Sequence, residues 1–382
     1  MHVHLSIEWP IMRRDFDGTA FNRWKIVRVA SPSSVLVPFM SRVAQRLSIR
    51  SFRQSSDLKA TALCLLDLSL VVGGTWLVIA APNVLAKALA SCVIGLQISR
   101  LFVLGHDACH HSLFASRGLN RWMGRLLFLP SLTPYSLWEV GHNLGHHVYT
   151  NLRGMDYVWV PLSKAEYDAL PRWRQRLERF YRSGFGCGAY YLTELWWRKL
   201  FFASRREIAT QRPAFVADSL LVSAFAVAWV GGLTGAAYAT GQNPFELAVF
   251  GFVAPFLLWG YIMGAVIYLH HTHPDLAWFS DIDQWEAARD TGCNTVHVQF
   301  AHKLGRVLNN IMEHPAHHLD VRIPLYQLEA ANRLLDIPSQ IRQPLSLQSI
   351  KNCIDRCKLY DYRAQHWTDF DGRQTSPALA QR

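Results

Sequence analysis

Twelve of the chain's 17 histidines fall in four short segments, three in each. GHDACHH carries His106, His110 and His111, and GHNLGHH carries His142, His146 and His147. LHHTHP carries His270, His271 and His273, and EHPAHH carries His314, His317 and His318. Imidazoles four residues apart on a helix lie one turn apart and share a face. His106 with His110, or His142 with His146, are thus placed to chelate one ion. A single such pair is weak, since solvated or hydrogen-bonded histidines outnumber ligands. Recurrence in four segments is not coincidence. Even an octahedral ion takes only about six ligands, so a dozen imidazoles point to two metals.

All-nitrogen ligation suits iron, copper, zinc or nickel. Structural zinc often takes cysteine, and Cys109 is the only cysteine inside a cluster. A redox pair that activates dioxygen accounts for both the ligand number and the position beside apolar segments. Asp107, Glu139, Asp156 and Glu313 are near enough in sequence to orient imidazoles through their second nitrogen, or else are solvated charges. Asn310, one helical turn before His314, is placed to ligate directly or through water, or is an ordinary polar helix residue.

Long apolar segments must position these clusters. Four can cross a hydrocarbon core of about 30 Å, at residues 60–81, about 84–105, 214–239 and about 247–269. The short connectors PN and TGQNPFE pair them into two hairpins. Half of the residues are apolar, 18% are charged, and 14 tryptophans accompany 20 phenylalanines. That balance excludes an ordinary soluble enzyme and suits a multi-pass, all-α membrane protein of four transmembrane helices with a histidine-rich cytosolic cap. The net charge of +11 lies among tryptophans and apolar stretches, so membrane lipids rather than nucleic acid are the expected counter-charge. The block 171–213 interleaves arginine with aromatic residues and reads as interfacial amphipathic helix.

Residues 1–59 carry ten Lys and Arg, while the hairpin tips offer little beyond Lys87 and Glu246. The positive-inside rule then puts both termini and all four clusters on the cytoplasmic side. Asp67 and Arg100 each lie about 10 Å into neighbouring antiparallel spans. A lone charge at that depth costs a few kcal/mol, so a direct ion pair is expected. The chain reads as one unit: a cytosolic N-terminal segment 1–59, a membrane domain 60–340 and a cytosolic C-terminal segment 341–382, ending in a loose tail, GRQTSPALAQR. The first residues hold no apolar core of a signal peptide. Cysteines 64, 92, 109, 187, 293, 353 and 357 form no disulfide framework and are expected to be buried or incidental thiols.

HDACHH, HNLGHH and HPAHH resemble the three histidine boxes of the membrane fatty acid desaturase superfamily. NLRGMDYVWVPLS, YLHHTHPDLAWF and IPLYQLEAA resemble its acyl-lipid, omega-6 oleate-type branch, over about residues 60 to 340. The resemblance implies a di-iron centre, dioxygen as co-substrate, and electrons from an external ferredoxin or cytochrome b5, since no fused HPGG segment is present. It implies a fatty acyl substrate linked to lipid, coenzyme A or a carrier protein. It also implies ligation by His106, His110 or His111, by His142, His146 and His147, by His314, His317 and His318, and by His271 or His273. The second box has three residues before its HH pair where the branch usually has two, which leaves His146 against His147 open.

Such a centre suits an unactivated methylene, which has no acidic proton for acid–base groups to take. Desaturation is the leading expectation, with hydroxylation, acetylenic bond formation or terminal-alkene formation by the same centre as alternatives. A non-enzymatic metal transporter or sensor is disfavoured, because its ligands belong near the bilayer midplane whereas these lie at span ends.

Overall fold

The computed structural model describes residues 44–201, 212–289, 295–301, 304–335 and 340–379. The N-terminal residues read for a signal peptide, most of the basic N-terminal segment, and Cys293 lie outside them. Among the described residues four helices are long and apolar enough to cross a membrane: α1 (Asp57–Ala80), α2 (Val84–Cys109), α6 (Arg212–Thr240) and α7 (Pro244–His271). Between the pairs lie α3 (Arg117–Phe128), α4 (Tyr135–Val140) and α5 (Arg172–Tyr181). After them come α8 (His314–Leu319), α9 (Leu325–Leu334) and α10 (Leu347–Arg356). The expected all-α membrane architecture is present.

Two small sheets add to it. β1 (Val296–Gln299) pairs in parallel with β2 (Ile341–Pro344), and β3 (Leu359–Asp361) pairs antiparallel with β4 (His366–Thr368). The tail is not loose where it is described. Thr375 N–H donates to the Trp367 carbonyl at 2.9 Å and Leu379 N–H to that of Gln365 at 3.0 Å. Gln374 forms an antiparallel bridge with Thr368 in the same stretch.

α2 is the most buried span and packs on α1, α3 and α7. The outward faces of the bundle carry Leu65, Trp76, Leu85 and Val227, which suits lipid rather than water. Asn83 accepts from Ala86 N–H and starts α2. Gly241, at φ +68°, ends α6, and the next N–H returns to the Ala237 carbonyl at 2.9 Å. The two tips are tied together. Lys87 Nζ donates to Glu246 and Gln242, each at 2.7 Å, and Gln242 donates to the Ile79 carbonyl at 2.7 Å.

α5 and the π-helix Tyr191–Phe201 are separate elements rather than one interfacial helix. Their inner side is charged, with Arg174 bridging Glu178 at 2.8 Å and Glu194 at 2.5 Å. Trp173, Phe180, Phe185 and Trp197 are exposed. The described cysteines are free, and all but Cys92 are buried.

Asp67 and Arg100 do pair, Nε to Oδ1 at 2.7 Å, with Asp67 fully buried. Arg100 reaches further than a pair requires. Its Nη1 donates to the carbonyls of Arg306 and Val307, both at 2.9 Å, and Asn309 Nδ2 donates back to the Arg100 carbonyl at 3.2 Å. The second span thus holds the loop that leads into α8.

In the purified protein, Asp67→Asn and Arg100→Gln should each lower the thermal midpoint, with Arg100→Gln costing more because it also frees two carbonyls. The double variant should lose less than the sum, by about 0.5–3 kcal/mol. Strict additivity in thermal unfolding would show that the pair contributes nothing.

Candidate metal centre

Each histidine segment has its own local geometry. α2 continues past the expected end of its span, so His106 stands in its last turn and His110 caps it. His111 follows at φ +56°, a left-handed residue that turns the chain away. The second segment is π-helical from Gly141 to His146. His147 N–H bonds to the His142 carbonyl, five residues back, at 3.0 Å. The glycines let Tyr157 pack against this turn: a Cβ on Gly141 would lie 2.9 Å from the Tyr157 hydroxyl. Residues five apart therefore share a face. His142 joins His147, not His146 as α-helical spacing predicts.

Among the described residues nine histidines converge into two groups. One holds His106, His110, His142, His147 and His317; the other holds His146, His271, His314 and His318. Within each, one nitrogen per ring lies within 4.8 Å of every other. The second and third boxes each contribute to both groups. On α8, His314 and His318 are one α-turn apart and face one way, while His317 faces the other.

The nitrogens fit metal ions. His142 and His147 Nε2 are 2.8 Å apart, His147 and His317 3.1 Å, His314 and His318 3.0 Å, and His271 and His314 3.3 Å. Imidazoles bound cis to one ion at about 2.1 Å have nitrogens about 3.0 Å apart. His147 Nε2 meets two other Nε2 atoms, and one proton cannot satisfy both contacts. His110 Nε2 is buried with no hydrogen-bond partner among the described residues. Burial first, and neighbouring imidazoles second, hold His110, His142, His147, His314, His317 and His318 well below the usual histidine range. They are neutral, the form that ligates.

Two of the expected orienting carboxylates touch these rings. Asp107 Oδ1 is 3.3 Å from His106 Nδ1, and its Oδ2 accepts from Leu325 N–H at 2.6 Å. Asp156 Oδ1 is 3.0 Å from His146 Nδ1, and its oxygens also accept from Asn151 and Val158 N–H. Each contact directs the ring's other nitrogen inward.

Other expected residues lie elsewhere. His111 pairs with Glu139, Nε2 to Oε1 at 3.4 Å, so neither touches a group. His273 lies past the end of α7, where its Nδ1 accepts from Asp275 N–H at 3.1 Å. Glu313 binds His297 at 3.0 Å and Asn332 at 2.7 Å. Asn310 is not a turn before His314 on one helix. Positive φ at Asn309 and Asn310 breaks the chain there, and Asn310 Nδ2 donates to the Leu325 carbonyl at 3.2 Å.

Spacing gave no sign of three contacts. Trp138 stacks on His142 with centroids 4.0 Å apart, His270 stacks on His314 at 3.8 Å, and Thr150 Oγ1 is 3.3 Å from His318 Nδ1. Only His270 had a signal, its place in LHHTHP.

A cavity of about 60 Å³ runs past both groups. His106 and His142 line it from one, and His146, His271 and His314 from the other. Most of the remaining wall is apolar: Phe102, Val103, Leu195, Met263, Val266 and Ile267 among others.

A family model described as fatty acid desaturase matches residues 82–338, which include all four histidine segments. The sn-1 oleoyl-lipid 12-desaturase of Arthrospira platensis is 30% identical over 262 residues, 68% of this chain and 70% of that relative. A protein of the same name from Picosynechococcus sp. is 28% identical over 337 residues, 83% of this chain and 88% of the relative. The sn-1 acyl-lipid omega-3 desaturase (ferredoxin) of Synechocystis sp. is 29% identical over 245 residues, 62% and 63% of the two chains.

Elemental analysis of variants checks the grouping. His142→Ala and His314→Ala should each lower bound metal by about one ion per chain, while His111→Ala and His273→Ala should leave it unchanged. Metal loss from the His111 variant would place that residue back among the ligands.

Proposed function

The chain belongs to the fatty acid desaturase family and is an oxidoreductase of fatty acyl chains, and from that premise we propose a finer reading of its chemistry. It introduces a double bond into a lipid-linked acyl chain of the oleoyl type named for its relatives. Two iron ions are held by the nine converging histidines, His106, His110, His142, His147 and His317 for one and His146, His271, His314 and His318 for the other. Dioxygen is the oxidant and an external one-electron carrier of the ferredoxin type is the donor. The balance is simple. Two C–H bonds break, one C=C bond forms, and the two hydrogens released join two electrons from two donor molecules and two protons from solvent to reduce dioxygen to two waters. Bound iron would supply the dioxygen activation that an unactivated methylene requires.

The rest falls to the protein. Asp107 and Asp156 fix the tautomers of His106 and His146, and the Trp138 ring holds the plane of His142. The observation that carries the reading is the narrow apolar cavity passing both groups. Such a cavity favours an unbranched hydrocarbon, presents one stretch of it to the histidines, and excludes bulk water from the reacting carbon.

The Lys and Arg excess on the histidine-bearing side supports a cytoplasmic location for the site and both termini. A reporter active only outside the cytoplasm, fused at residue 382, should be silent; a strong signal would overturn this orientation.

Expression in a host whose lipids carry only monounsaturated chains tests the reaction. Mass spectrometry of total lipids should show dienoic chains, and His146→Ala or His317→Ala should abolish them while the protein stays in the membrane. Hydroxylated or acetylenic chains in place of dienes would move the assignment to another oxidation at the same centre.

A further inference from the structure

Tyr191 begins the π-helix Tyr191–Phe201 and lines the cavity that passes the histidines. It is 1% exposed, yet its hydroxyl has no hydrogen-bond partner among the described residues. The ring is well held, with Trp259 of α7 set edge-on at a centroid distance of 5.5 Å. Phenylalanine would pack as well, since a buried hydroxyl without a partner carries a desolvation cost that a bare ring avoids. π-helical turns, moreover, concentrate at functional sites.

The aliphatic part of the cavity wall, Leu195, Leu200, Met263, Val266 and Ile267, offers no side-chain acceptor, and neither the Tyr157 hydroxyl nor the histidines that also line the cavity hydrogen-bond to Tyr191. A ligand in the cavity would then supply it. An acyl lipid has two kinds of acceptor, the ester carbonyl at its head and the π-face of any double bond already present. Along the aliphatic stretch of the cavity the occupant is hydrocarbon, and there a C=C bond is the acceptor available.

We infer that Tyr191 is a specificity-determining residue whose hydroxyl donates an O–H···π hydrogen bond to a cis double bond already in the acyl chain. The contact selects unsaturated chains and sets, from the existing bond, which carbons face the histidines. The inference rests on the acyl-chain reading given above.

The test uses purified wild-type protein and Tyr191→Phe in detergent, with a bound fluorescent fatty acyl probe displaced by dioleoyl or distearoyl lipid. Wild type should prefer the oleoyl lipid, and the variant should lose about two- to fivefold of that preference, the size expected of a weak hydrogen bond. In turnover, KM for the oleoyl lipid should rise by a similar factor with kcat little changed. An unchanged preference would overturn the inference. So would equal losses for both lipids, which would place the contact at the ester carbonyl or make it merely structural. If neither lipid displaces the probe from wild type, the acyl-chain reading itself fails, a result seen before any substitution is compared.

Discussion

Nine imidazoles turned toward two common centres impose the constraint on which the rest of the fold depends. Each needs a lone pair inward, and uncompensated lone pairs about 3 Å apart repel. Water cannot relieve that crowding at His106, His146, His271 and His317, which are almost wholly buried. A cation does. Ligation energy and folding energy are therefore coupled in this centre, and the surrounding structure must hold the rings in place when a cation is absent.

Several features meet that demand. The histidines at the ends of α2 and α7 are fixed by two long spans in close contact. Asp107 joins the first segment to the start of α9 through Leu325, and Asp156 binds its own turn as well as His146. The π-helical register gives the second segment two outlets, His142 and His147 toward one centre and His146 toward the other. An α-helix of the same sequence would send His142 and His146 together and leave His147 stranded.

This last point marks where the sequence was legible and where it was not. The histidine-rich spans, their pairing and the Asp67–Arg100 contact could be read from hydropathy, depth and charge, because each follows from the cost of polar groups in hydrocarbon. The partition of ligands could not. It turns on a one-residue change of helical period, on a left-handed His111 and on left-handed Asn309 and Asn310, local conformations that spacing does not reveal. Glu313 shows a further limit. Its partner His297 sits on a strand assembled from distant segments, so adjacency to His314 pointed to the wrong ring.

Arg100 has a mechanical consequence. Its guanidinium joins a buried carboxylate of α1 to two backbone carbonyls just ahead of α8, with no flexible side chain intervening on the loop side. A strut of this kind leaves little slack. Tilting the first hairpin in the bilayer would push or pull the third histidine box with it, so the spacing of the two histidine groups and the inclination of the helices form a single mechanical coordinate.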